Sequence, residues 1–152
     1  MKDSRDVANY ILELAEQKGD SLTPMQLLKL TYIAHGWFYG IHGRPLISDP
    51  VEAWQYGPVI PMLYEAIKSY RGAAITNKIR RHNAQQVLDA DEQDIVSQVY
   101  DAYGKFTGPQ LSNMTHAGGT PWALTYVPGS FGLRIPDDLI EDHYRKKASV
   151  AA

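Results

Sequence analysis

The sequence predicts a mainly α (α+β) fold: a compact helical domain around one buried central helix, with a small β-hairpin or two short strands. Three observations predict it. Apolar residues recur at three- and four-residue intervals in several separate stretches, which marks helices with one buried face. One stretch, after Thr23-Pro24-Met25-Gln26, is apolar on nearly every side, as a helix enclosed by others must be. Only short runs, at 51–56 and 74–79, read as strands. The chain has 152 residues, 44% of them hydrophobic and 21% charged, which suits one globular domain. Without repeats, low-complexity tracts or a linker, residues 1–152 read as a single domain.

The elements follow in order. Val7, Tyr10, Ile11 and Leu14 form the inner stripe of a first helix, with Asn9, Glu13 and Glu16 off it. Asp3 or Ser4 caps this helix, and Gly19-Asp20 ends it. Thr23 caps the second, Pro24 suits its first position, and Gln26 closes a capping box. The second helix runs to about Gly40 through Leu27, Leu28, Leu30, Tyr32, Ile33, Trp37, Phe38 and Tyr39. Gly36 and Gly40 lie one turn apart in it. Glycine costs about 1 kcal/mol inside a helix, so the pair predicts close packing by another backbone. Val51 to Tyr56 is a short strand that Ala74 to Ile79 could pair with. Between helices, Tyr56-Gly57-Pro58 makes a bend bracketed by Trp54 and Tyr64. Pro61 opens a helix with Leu63, Tyr64, Ile67 and Tyr70 inward. Residues 91–105 form another, with Ile95, Val96, Val99, Tyr100 and Tyr103 inward and Asp91, Glu92 and Asp94 at its positive end. Pro109 to His116 is a short helix with Leu111 and Met114 inward, and Thr120-Pro121-Trp122 starts another. Leu133 to Ile135 is extended. A last helix runs from Pro136 to about Lys147, acidic first and basic last.

Composition narrows the function classes. The formal net charge is −2, which argues against a nucleic-acid partner, because affinity for nucleic acid comes from neutralising phosphates. No cysteine is present, so disulfides, thiolate nucleophiles and Cys-based zinc sites are excluded. The apolar stretch from Leu27 to Ile41 is shorter than the ~20 residues a span needs. Glu13 and Glu16 interrupt the first apolar stretch, as no signal peptide allows. The expectation is a cytoplasmic protein with no membrane partner.

Candidate chemistry is sparse. His35, His42, His82 and His116 match no metal-ligand spacing, and core or surface histidines are the simpler reading. Ser112, His116 and Asp101 could be read as nucleophile, base and acid, but no nucleophile elbow accompanies them. Arg80-Arg81-His82 reads as a solvated loop. The sequence therefore assigns no catalytic residue, no cofactor and no metal, and leaves the oligomeric state open. Two alternatives stand beside a binding role: a small enzyme or metal-dependent hydrolase using His35 and His116, and a DNA-binding regulator of its own operon.

Three blocks occur in order: Leu27-Leu28-Lys29-Leu30-Thr31-Tyr32-Ile33-Ala34-His35, then Ala53-Trp54-Gln55-Tyr56-Gly57-Pro58-Val59-Ile60-Pro61-Met62-Leu63-Tyr64, then Leu111-Ser112-Asn113-Met114-Thr115-His116 with Pro121-Trp122. Together they resemble the Panacea-domain (SocA-like) antitoxins over roughly residues 5–125. The resemblance implies a small protein of prophages or mobile elements that neutralises a cognate toxin by direct binding. One branch of that family is an adaptor delivering its toxin to a AAA+ protease, which adds a second implied partner. The signature residues are Lys29, Tyr32, His35, Trp54, Tyr56, Gly57, Pro58, Val59, Tyr64, Leu111, Ser112, Thr115, His116 and Trp122. They are expected to be structural, with Trp37, Trp54 and Trp122 mostly buried. The partner-reading residues are then expected outside the signature, with Arg71, Arg80, Arg81, Phe131 and Tyr144 as candidates.

Overall fold

The computed structural model describes residues 1–151. Its helices are α1 (Ser4–Gln17), α2 (Pro24–His42), α3 (Pro61–Ile67, extended by a 3₁₀ turn over Lys68–Tyr70), α4 (Ala90–Tyr103), α5 (Gly108–Thr115), α6 (Pro121–Thr125) and α7 (Asp137–Ala151). Strands β1 (Glu52–Trp54), β2 (Gly57–Val59) and β3 (Leu133–Arg134) form a small antiparallel sheet in the order β2-β1-β3. The mainly α (α+β) class holds.

Helix α2 is the centre. Leu27, Leu30, Tyr32, Ile33, Ala34 and Phe38 are buried in it, with α1, α4, α5 and α7 packed around it. Its start is the expected capping box: Gln26 N–H donates to Thr23 Oγ1 and Thr23 N–H to Gln26 Oε1. Two further boxes, Asp89 with Glu92 and Thr107 with Gln110, start α4 and α5. Each satisfies backbone donors that a helix start leaves free.

The Gly36/Gly40 pair does what its cost implied. A Cβ on Gly40 would lie 2.6 Å from the backbone of Tyr144 and Arg145, and one on Gly36 would enter the Tyr144 ring. Helix α7 therefore crosses α2 almost backbone to backbone. Tyr144, offered by the sequence as a partner contact, is 5% exposed and packs edge-on against Tyr32 and Trp37. It is a core residue.

Other expectations are corrected. Residues 74–79 form no strand; β1 pairs instead with β2 and β3. The segment is held elsewhere: Ile75 N–H donates to Leu22 O at 2.8 Å, and Ile79 meets Asn9, which is buried rather than off the inner face of α1. Its amide donates to Ile79 O at 2.9 Å and accepts Ile79 N–H at 2.7 Å. A side-chain amide thus supplies what a neighbouring strand would. Met114 is exposed, and Leu111, Ser112 and Thr115 form the buried face of α5. The expectation for the three indoles stands: none is exposed, and each is mostly covered with part of its surface in solvent. Trp37 and Trp122 pack on the core, whereas Trp54 lies along Tyr64 and Phe131.

Candidate functional site

The signature blocks converge on one hairpin. Strands β1 and β2 are joined through Gln55 and Tyr56, with Trp54 facing Gly57. Gly57 has φ +125°, a conformation that side chains oppose. A Cβ there would also lie 2.8 Å from Lys29 Nζ. Three alternate carbonyls of this hairpin are gripped from three helices. Trp122 Nε1 of α6 donates to Trp54 O at 2.5 Å. Ser112 Oγ of α5 donates to Tyr56 O at 2.7 Å. Lys29 Nζ of α2 donates to Pro58 O at 2.8 Å.

Second contacts hold these donors. His116 Nδ1–H donates to Ser112 O at 2.5 Å, and its ring meets Trp122 edge-on at 5.3 Å. Trp122 stacks on Tyr126 at 4.7 Å. Thr115 Oγ1 donates back to Leu111 O at 3.0 Å. Burial pulls Lys29 down to about 8. It leaves His35 at about 3, so this imidazole stays neutral, with Nδ1 accepting Ile47 N–H at 3.4 Å. Burial also pushes the Tyr32 hydroxyl upward. These groups hold the frame in place.

The enzyme-like set assembles only in part: Ser112 Oγ lies 3.4 Å from His116 Nδ1, but that nitrogen is turned to Ser112 O at 2.5 Å, and no acid among the described residues stands behind the ring. Ser112 is committed to Tyr56 O, and Asp101 is paired with Lys18 rather than with His116. Among the described residues no group of His, Asp and Glu could hold a metal ion. No helix there is long and apolar enough to cross a membrane.

The gripped hairpin presents an aromatic ledge. Tyr56 is 69% exposed and Phe131 76%. Trp54 lies between Tyr64 and Phe131, each ring 5.0 Å away, and its indole N–H donates to Glu52. Met62 and Leu133 are exposed as well. Surface aromatics grouped as are Trp54, Tyr64 and Phe131 mark contact sites more than scattered ones do, and Tyr56 stands on the adjoining turn.

Of the other residues proposed for partner contact, Arg71 and Arg80 are exposed. Arg81 is not free. Its Nη1 lies 2.9 Å from Asp3, its Nε makes an ion-pair contact with Asp6 at 3.2 Å, and its Nη2 donates to Ala84 O. It ties the 71–89 segment to the start of α1. The sequence missed Tyr56 as an exposed residue, because a signature position read as framework.

The helical frame thus spends polar side chains of three helices on immobilising one turn and leaves aromatic side chains outside it. The comparisons supply the family. Residues 27–123 match the family described as Antitoxin SocA-like, Panacea domain, and the chain belongs to it. It is 33% identical over 162 aligned residues to Antitoxin SocA of Caulobacter vibrioides, covering 98% of this chain and 86% of that relative. No solved structure matches.

Proposed function

We propose that this chain is an antitoxin that neutralises a cognate toxin by direct binding, through the aromatic ledge at the β1–β2 hairpin. The exposed Tyr56 and Phe131 rings on a hairpin whose carbonyls are gripped from three helices carry this reading. Binding energy concentrates in Trp and Tyr side chains on rigid supports, because little entropy is lost in ordering them. Handing the toxin to a AAA+ protease would be a later step of the same binding.

The test is rescue of growth. The adjacent gene is expressed with and without this chain, then with Tyr56→Asp and Phe131→Asp variants. Both side chains are exposed, so the variants keep the wild-type circular dichroism spectrum and melting temperature. The wild type restores growth and both variants fail. Full rescue by both variants moves the interface away from the ledge. No rescue by the wild type ends the antitoxin reading.

A further inference from the structure

The sheet has two outer edges, and the chain treats them oppositely. Ile135 N–H donates to Val51 O at 2.8 Å. Antiparallel pairs alternate between hydrogen-bonded and non-hydrogen-bonded. The Glu52–Arg134 pair is therefore the non-hydrogen-bonded one, and the Arg134 backbone N–H and C=O point away from β1. By the same alternation the backbone of Glu52 faces Val59, so Ala53–Pro58 is non-hydrogen-bonded and the Pro58 carbonyl points outward from the β2 edge.

The β2 edge is closed. Pro58 has no N–H to offer, and its outward carbonyl is taken by Lys29. The β3 edge is open. Among the described residues no group bonds the Arg134 N–H or carbonyl, and Leu133 and Arg134 are exposed. The Arg134 side chain turns to Asp137 at 3.5 Å and covers neither. Phe131, two residues before β3, lies against Trp54.

We propose that the outer edge of β3 accepts an extended segment of the partner protein as a fourth strand, with its outward side chains resting on the Phe131–Trp54 ledge. This rests on the binding reading above and adds how the partner is gripped. A donor and an acceptor on one residue are matched by the acceptor and donor of another backbone. A helix has spent those groups internally, and a phosphate backbone offers acceptors without donors. Free edges are ordinarily covered, blocked or kept short; β2 is blocked, and β3 is kept to two residues, which leaves one donor–acceptor pair at Arg134.

The experiment uses the full chain and the purified product of the adjacent gene. Arg134→Pro deletes the outward N–H while leaving every bond to β1, and proline is tolerated at such a position. Arg134→Ala removes the side chain and keeps the N–H. Affinity falls about tenfold or more for Arg134→Pro and stays near wild type for Arg134→Ala, as expected for loss of backbone pairing. In parallel, the Arg134 amide exchanges rapidly in the free chain and slows at least about tenfold in the complex. If Arg134→Pro disturbs the fold, the wild-type amide decides alone. Unchanged exchange at Arg134 in a complex that forms overturns the proposal and leaves the antitoxin reading standing. So does a wild-type dimer that Arg134→Pro dissolves, because the edge is then filled by a second copy. Failure of the wild type to bind at all removes the binding reading, and the strand with it.

Discussion

Lys29 is a cation with 4% exposure, held by the Pro58 carbonyl at 2.8 Å, and this makes its contribution to stability depend on pH in an unusual direction. Burial lowers it from 10.5 to about 8. Below pH 8 the ammonium is charged in both folded and unfolded chains, and the folded chain carries the full cost of burying it. Between about 8 and 10.5 the unfolded chain still binds the proton and the folded chain does not, so stability rises with pH. The slope is about 1.4 kcal/mol per pH unit, and the whole interval amounts to about 3 kcal/mol. Tyr32 and Tyr144 act oppositely, since burial pushes their hydroxyls upward. The folded chain keeps their protons after the unfolded chain has lost them, so they lower stability above about pH 10. The clean window is therefore about pH 8 to 9.5. Lys29→Met removes the titration and the hydrogen bond to Pro58, the second at a cost independent of pH. Urea unfolding followed by tryptophan fluorescence at several pH values gives both curves. The wild type gains about 1 kcal/mol over the variant between pH 8 and 9. Parallel curves across that window would refute the reasoning, and would mean that water reaches the ammonium.

Three further outcomes are expected. His35, held neutral down to about pH 3, costs stability at about 1.4 kcal/mol per unit as pH falls below its ordinary value, because only the unfolded chain takes up the proton; His35→Phe flattens that part of the profile in urea titrations. Gly40→Ala places a methyl 2.6 Å from the backbone of α7, which has no side-chain freedom to yield, and lowers stability by about 1–3 kcal/mol in thermal melting. Arg81→Glu sets a carboxylate against Asp3 and Asp6 and lowers the urea midpoint by an amount equal to about 3 kcal/mol; unchanged stability with lost toxin binding would return Arg81 to the interface.

What could be read from the sequence was what local physics decides. Thr23, Pro24 and Gln26 announce a helix start because the capping bonds lie within one turn. Gly36 and Gly40 announce a close crossing because glycine is otherwise costly in a helix, although nothing in the sequence named α7 as the partner. The strand pairing was misread because a period of two shows that a segment is extended, not what it lies beside. The 74–79 segment is held at Ile75 by the Leu22 carbonyl and at Ile79 by Asn9, which lies more than sixty residues away and looks like a surface residue in the helix pattern. Arg81 misled for the same reason: its counter-charges, Asp3 and Asp6, lie at the far end of the chain. At the candidate site the signature was legible as three blocks, but their common purpose was not. That Lys29, Ser112 and Trp122 each end on a carbonyl of one hairpin depends on three long-range packings that no spacing encodes.

The position of the open edge gives the arrangement a division of labour. Lys29, Ser112 and Trp122, which grip the hairpin, all lie within the 27–123 segment that matches the family. Phe131, the outer ring of the ledge, and Arg134, on the free edge, lie beyond it. A frame held from within the matched segment can stay constant while the chain after residue 123 changes its side chains, because β3 is attached to β1 through backbone bonds that any sequence can make. Strand addition has the same tolerance, since backbone pairing supplies attachment and the side chains beside it supply selectivity. Trp54 and Tyr56 are exceptions: both lie within the matched segment, and while the frame uses their carbonyls, the Trp54 ring lies against Phe131 and the Tyr56 side chain points into solvent. Under the proposed binding role, Tyr56 supplies a contact that does not depend on the chain after residue 123, and Phe131 supplies one that does.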